Sequence, residues 1–226
     1  MIVGAAAAGI WRWEQHQPRQ KQEIRTPHFL DSTPAQAEAY AAQPINITLN
    51  FDFDLAAGSD ITVRSADGRE WSDGAPIIED ARTALKISLQ PGMPDGQYHV
   101  RYTACWPDQA CDKGELFFSI DSARQSGYHD LRGQSDVTVH MSDFAFQESR
   151  ILISPGTTVT WANDEAAGHF VNTETHPEHT YFSAQNSREI KQGESFAVTF
   201  TIPGQYNYHC SAHVPQGMLG SIIVVR

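Results

Sequence analysis

Short β-branched runs, each closed by Gly, Pro or Asp, recur along this 226-residue chain and leave it little to fold into but β-sheet. They read INITLNFDF (45–53), SDITVRS (59–65), ALKISL (84–89), YHVRYTA (98–104) and ELFFSI (115–120). They resume with VTVHM (137–141), ILIS (151–154), TTVTW (157–161), SFAVTF (195–200), QYNYHC (205–210) and GSIIVV (220–225). No long stretch carries a helical period, and only TPAQAEAYAAQ (33–43) has the composition for a turn or two of helix. Between the two sets lies SARQSGYHDLRGQS (122–135), poor in apolar residues, which reads as a linker. The expected fold class is all-β: two β-sandwiches of roughly 100 residues each. The boundaries read from the sequence are 1–25 for an N-terminal segment, 26–121 for the first domain, 122–134 for the linker and 135–226 for the second domain. The two halves show no internal repeat.

Charge narrows the partners. Lys and Arg number 16 against 27 Asp and Glu, a net of −11. That excludes nucleic acid, whose binding is driven by basic surface on phosphate, and leaves metal cations or a basic partner as the attractions. Three cysteines divide into Cys105 and Cys111, close together in CWPDQAC, and Cys210 alone a hundred residues later. The near pair suggests a local disulfide in an oxidising space such as a bacterial periplasm, and the odd one a thiol with its own task. The start, MIVGAAAAGI, is apolar but shorter than the roughly 20 residues a membrane span needs. Arg12, Arg19, Lys21 and Arg25 follow it, which by the positive-inside rule would hold the chain in the cytoplasm, against the disulfide. The end of an export signal or N-terminal membrane tether, cut short by a start placed too far downstream, reconciles the two.

The densest chemistry lies in YHCSAHVPQGM (208–218), directly after a strand-like run. Cys210, His213 and Met218 offer a thiolate, an imidazole and a thioether, a soft set suited to copper. A trigonal His2Cys centre with a weak axial Met needs one more histidine. His169 supplies it, in TTVTWANDEAAGHF, where a strand runs into a Gly-flanked turn.

With those residues in view, the segment from about Ser135 to Arg226 resembles the cupredoxins of the plastocyanin, pseudoazurin and amicyanin group. PGTTVTWANDEAAGH is similar to the family's strand entering its first ligand histidine. QGESFAVTFTIPGQYNYHCSAHVPQGMLGSIIVV is similar to its last three strands and ligand loop, with the plastocyanin spacing of Cys, His and Met. The resemblance implies a Greek-key sandwich holding one type 1 copper per chain through His169, Cys210, His213 and Met218. It also implies that His213 is the electron port, reaching the surface beside Val214, Pro215 and Gly217. Phe170 stands where many members carry an Asn that ties the two ligand loops together, so the potential does not carry over.

Two further features are legible. His209 precedes Cys210, and neighbours in a strand point to opposite faces, so His209 is expected to face away from the metal. Multicopper enzymes use such a neighbour for a second copper, but they need further histidines from another cupredoxin domain, which the first half does not offer. THPEHTYF (175–182) places His176 and His179 three apart with Glu174 and Glu178 beside them. Spacing and ligand count favour a solvated polar loop there; a secondary metal site is the alternative.

Residues 26–121 resemble the copper-resistance protein C family of periplasmic β-sandwiches, through LDSTPAQAEAYAAQPINITLNFDFDL, PDGQYHVRYTA and GELFFSI. That family's copper(II) site implies an N-terminal histidine and an Asp-Gly-His turn. A gapless alignment puts the turn on Asp108, Gln109 and Ala110, so its histidine is missing, and His28 is offset from the other expected position. The domain is expected to have lost that site and to act as scaffold, spacer or docking surface; an immunoglobulin-like sandwich with no copper history is the alternative reading of the same residues.

The expected function is a periplasmic blue copper protein carrying single electrons between transient redox partners. Copper binding and delivery among copper-handling proteins is the alternative, and a multicopper enzyme the more distant one.

Overall fold

The computed structural model describes residues 28–226 apart from 80 and 109. The expectations for the N-terminal segment lie outside the described residues. Among the described residues no helix is long and apolar enough to cross a membrane.

The first domain is built from β1 (Phe29–Thr33), β2 (Ala39–Tyr40), β3 (Asn46–Phe51), β4 (Asp60–Ser65), β5 (Ser72–Ile78), β6 (Ala84–Leu89), β7 (Gly96–Cys105) and β8 (Cys111–Ile120). One sheet runs β1-β3-β6-β5 and the other β2-β8-β7-β4. Between them Ile47, Leu49, Val63, Leu85, Val100 and Phe118 are all fully buried. The alternation of β4, with Ile61 and Val63 in and Asp60 and Arg64 out, is the period of two that sets which face meets the core. Strand β5 escaped sequence reading because SDGAPII holds Gly and Pro. It lies at the edge of its sheet, with a register break between Asp73 and Ile77, where a proline is tolerated. TPAQAEAYAAQ forms turns and the short β2 rather than helix. Ala39 and Tyr40 pair with Ser119 and Ile120, a non-local contact that outweighs the weak propensity of a short alanine-rich run.

Cys105 and Cys111 face each other across the β7–β8 hairpin and are disulfide-bonded. The loop they close spans six positions, so the chain-entropy gain is modest, about 2 kcal/mol. Replacing both by Ala is expected to lower the unfolding free energy, read by denaturant titration, by that amount and to leave the second domain's spectroscopy untouched.

The second domain comprises β9 (His129–Asp130), β10 (Asp136–Ser142), β11 (Ala145–Phe146), β12 (Arg150–Ile153), β13 (Thr157–Asn163), β14 (Asn172–Thr173), β15 (Ser195–Phe200), β16 (Gly204–His209) and β17 (Leu219–Val224). Its sheets run β11-β10-β13-β15 and β14-β16-β17-β12-β9. Trp161, Phe200, Tyr206 and Tyr208 are fully buried between them, and the Trp161 and Tyr208 rings meet edge-on at 5.3 Å. Such aromatic pairs add about 1 kcal/mol each beyond their buried area and stiffen β16. The segment read as a linker is ordered: a 3-10 helix over Ser122–Gly127 is followed by β9, which pairs with β12. Few apolar residues are needed, because main-chain hydrogen bonds to β12 hold it.

The two domains share a packed seam. Ala41 and Ala42 bury against Leu152 and Ile223. The Gln205 side-chain oxygen accepts from the Ala41 and Ala42 amides at 2.7 and 3.2 Å. Tyr181, fully buried, accepts from the Ile45 amide at 2.8 Å and donates to the Gln205 carbonyl at 2.9 Å. Gly204, at φ +149°, is where the backbones approach closest: a Cβ there would lie 2.6 Å from Ile45 Cγ2 and 3.0 Å from the Gln43 carbonyl.

Two carboxylates line one cleft at this seam, Glu38 from the first domain and Glu174 from the second. Burial, then the charge of Glu38, pushes Glu174 up to about 7, and burial raises Glu38 as well. A carboxyl group whose folded pKa exceeds its unfolded value is neutral in both states at low pH and destabilises the fold only where it must ionise. Stability of chelator-treated protein is therefore expected to fall as pH rises from about 5 to about 8, by up to roughly 3 kcal/mol. Glu174→Gln is expected to flatten that slope in denaturation midpoints measured across the same range.

Candidate metal centres

Strand β16 decides where the chemistry goes. Its period of two turns Tyr206 and Tyr208, and after them Cys210, into the core of the second domain. Gln205, Asn207 and His209 alternate with them, and their side chains bond Ala41, Glu38 and His179 respectively.

On the core side, Cys210 Sγ lies 3.3 Å from His213 Nδ1 and 3.7 Å from His169 Nδ1, and the two imidazole nitrogens are 3.2 Å apart. Donors that share one metal at about 2 Å each have such separations. His169 and Cys210 are fully buried, and His213 is partly exposed. Met218 is buried in the same cluster. Its carbonyl accepts from the Cys210 amide at 3.0 Å and its amide donates to the His213 carbonyl at 3.3 Å, which closes the loop around the thiol. Of the sequence-read set, His169, Cys210 and His213 are thus brought together and Met218 closes their loop through its backbone; a thiol and two imidazoles, with a thioether on the same loop, fit copper.

The surroundings hold this set in place. His169 is pinned by paired main-chain bonds with Ile190 at 3.1 and 2.8 Å. Its Nε2 lies 2.7 Å from Glu165 Oε1, while Glu165 also accepts from the amides of Asp143 and Phe144 at 3.1 Å each. Burial alone would raise the Glu165 carboxyl, but the Phe144 amide, the His169 ring and the Asp143 amide outweigh it and hold the group below its ordinary range. Buried Asn163 braces the same turn, donating to the carbonyls of Ala167 and Ile190 at 2.7 and 2.8 Å. The Phe144 ring stands edge-on to His213 at 4.8 Å and is 44% exposed. Glu165, Asn163 and Phe144 were not singled out from the sequence. A polar pair opening the NDEAAGH turn was the available signal for the first two, and nothing local marked Phe144.

The Phe170 side chain has no polar group to tie the ligand loops, but its amide donates to Cys210 Sγ at 3.3 Å and makes a tie through the backbone. Burial pushes the Cys210 thiol up, and the amides of Phe170, Ala212 and His213 pull it partway back. Loading a metal there must therefore displace a proton. Second-shell partners of ligand histidines typically carry 10–100-fold in metal affinity. Glu165→Ala is accordingly expected to weaken copper binding about 10–100-fold in a competition titration, with the visible band retained.

On the opposite face, His209 does face away from the first centre, as strand alternation requires. It does not stand alone. His179 Nε2 lies 3.1 Å from His209 Nε2 and 3.3 Å from His176 Nδ1, so the loop read as solvated closes onto β16. Burial, then the nearby His179 and His176, lowers His209 to about 4. Burial and His176 lower His179 as well.

In the first domain His28 is exposed and pairs with Asp52 at 3.1 Å. Among the described residues that domain brings no three His, Cys, Asp or Glu donors together.

Comparison with known proteins agrees with both halves. The model for copper binding proteins of the plastocyanin/azurin family matches residues 133–225, and that for the CopC domain matches 29–121. Halocyanin from Natronomonas pharaonis is 35% identical over 100 residues, 42% of this chain and 60% of that protein. Plastocyanin from Scenedesmus fuscus is 31% identical over 104 residues, 39% of this chain and 99% of that protein. The crystal structure of CopC from Methylosinus trichosporium OB3b is similar with a TM-score of 0.37 and 21% identity, covering 42% of this chain and 94% of that one. Against other relatives, such as chloroplastic plastocyanin from rice, the chain spans only about half of their length, 54% there.

Proposed function

Since the chain belongs to the copper-binding plastocyanin/azurin family through its C-terminal domain, with a CopC domain ahead of it, we propose that it carries single electrons on one type 1 copper held by His169, Cys210, His213 and Met218. The observation that carries this reading is the convergence of the Cys210, His169 and His213 donor atoms at 3.2–3.7 Å on one buried spot. Copper, when bound, supplies a one-electron Cu(I)/Cu(II) couple.

The chain's own residues do the rest. Cys210 gives up its proton and keeps the Phe170 amide as a donor to its sulfur. Glu165 and Ile190 fix the His169 ring and backbone, so the donor set is held by the fold rather than by the metal. Tyr208 and Trp161, packed beneath the loop, keep water from the buried side. His213 is the exit toward solvent, flanked by Phe144 at 44% and Val214 at 37% exposure. An apolar rim of that size suits brief docking of a redox partner over a small interface. The disulfide and both domain families support an extracytoplasmic, periplasmic setting.

The test is visible absorption and electron paramagnetic resonance of the copper-loaded protein. An intense thiolate-to-copper band with narrow hyperfine splitting supports the reading, and a pale spectrum sinks it. Copper delivery is a second reading, favoured by the CopC match. It requires that a mild copper(I) chelator strip the metal quickly; copper retained for hours tells against it.

A further inference from the structure

His176, His179 and His209 lie outside the first centre, and nothing in single-electron carriage uses them. Their ring nitrogens converge within 4.8 Å of one another. His179 Nε2 faces His209 Nε2 at 3.1 Å, His176 Nδ1 at 3.3 Å and the Ser211 hydroxyl at 3.2 Å. One ring nitrogen carries a single proton or a single lone pair, so it cannot satisfy three neighbours by hydrogen bonding. A shared cation resolves the conflict, since each imidazole then gives one lone pair to the same centre.

We propose that these three histidines form a second metal site, that it takes Cu(II), and that it is wired to the first centre through the His209–Cys210 peptide. Three imidazoles with neither thiolate nor carboxylate favour a borderline divalent cation, and among these the affinity order puts Cu(II) above Zn(II). His209 is buried and His176 exposed, so the site closes on the protein side and stays open to solvent on the other. That open side leaves a coordination position for water or an added small ligand. The Ser211 hydroxyl, held by Asn172 at 2.7 Å, sits beside it at 3.4 Å from His209.

The first domain supplies what this site needs and the second cannot provide alone. His176 and His179 sit between Thr175 and Thr180 on one loop. Asn50 of β3 donates to the Thr175 hydroxyl at 3.0 Å and accepts from Thr180 at 2.8 Å. The Thr175 hydroxyl donates to Asp31 of β1 at 2.7 Å, and Lys86 of β6 donates to the Thr180 carbonyl at 2.9 Å. Both ends of the histidine pair are therefore tied to the first domain before a metal arrives, which lowers the ordering cost of binding. In this arrangement the CopC domain holds another domain's ligands rather than a site of its own.

Adjacent residues ligate the two centres, so the path between them is covalent throughout. With copper in both sites, this peptide would carry one electron from Cu(I) held by Cys210 to Cu(II) held by His209, oxidising the first by one electron and reducing the second by one. This electron step rests on the type 1 reading above; the binding of the second metal does not.

Apo full-length protein titrated with Cu(II) salt, followed by metal counting and paramagnetic resonance, separates the possibilities. Two coppers per chain are expected, the second with wide hyperfine splitting and no intense visible band. His176→Ala with His179→Ala is expected to hold one copper with the visible band intact, which also shows that the variant folds. His176→Gln alone, at an exposed position, is expected to weaken the second copper at least tenfold. A single copper with an intense band in the unaltered protein overturns the proposal, as does a double variant that still holds two. A pale protein that nonetheless loses one copper in the double variant keeps the second site and removes the type 1 reading. For the link, one equivalent of reductant added to the two-copper protein is expected to spare most of the visible band, because the electron passes on to the second site, whereas the same equivalent bleaches the band of the His176→Ala, His179→Ala variant; equal bleaching in both overturns the wiring.

Discussion

Cys210→Ser abolishes the intense visible band of the copper-loaded protein outright rather than shifting it. The band requires a thiolate bonded to copper, and Cys210 is the sole free thiol, Cys105 and Cys111 being joined to each other. A serine hydroxyl is a hard donor with a far higher pKa, so it neither ionises in this pocket nor suits Cu(I). The site also loses its one-electron traffic, which stopped-flow mixing with a small inorganic oxidant reads directly. Folding is not the cause, since the buried aromatic cluster of Trp161, Phe200, Tyr206 and Tyr208 does not depend on the sulfur. Near-ultraviolet circular dichroism should therefore match the unaltered protein. A variant that stays blue would show that another residue supplies the thiolate-like ligand and would end the assignment.

The second large effect is expected at Tyr181. Its ring is buried in the seam, and its hydroxyl bridges Ile45 of the first domain to Gln205 of the second. Tyr181→Phe leaves the half-buried Ile45 amide and the buried Gln205 carbonyl without that hydroxyl, at about 1–3 kcal/mol. Tyr181→Ala adds a cavity and reaches about 3–5 kcal/mol. Because the cost falls on the seam, it should appear as loss of coupling: one cooperative unfolding transition in the unaltered protein becomes two in the alanine variant. The first centre lies on the opposite face of β16 from Gln205, so its visible band is expected to persist below the first transition. A single unshifted transition in both variants would mean that the hydroxyl bridge and the ring contribute nothing to domain docking.

Both expectations trace back to one strand. Along β16, residues 206, 208 and 210 face the core and the first metal set, while 205, 207 and 209 face the first domain and the histidine loop. A one-residue slip would exchange the two faces entirely. Register there is fixed by pairing with β17 from Gly204–Val224 to His209–Leu219 and by the aromatic side chains packed beneath.

The sequence alone determined the class of fold, both domains and the four candidate ligands of the first centre. The reason is locality: strand alternation is a period-two signal, and three of the four candidates, Cys210, His213 and Met218, lie on one loop. His169, though distant, was legible because a strand runs directly into it. The same alternation rule turned His209 away from that centre, but could not say what it would meet. Only the tertiary structure decided that. The company of His209 depends on a loop thirty residues upstream, held by Asn50, Asp31 and Lys86 of another domain through hydrogen bonds that span more than ninety residues. Contacts of that kind arise from two folded surfaces meeting, so they leave no period and no spacing in the chain. For the same reason Glu165, whose role comes from one carboxylate reaching two amides and a ring, looks in the sequence like any other surface acid.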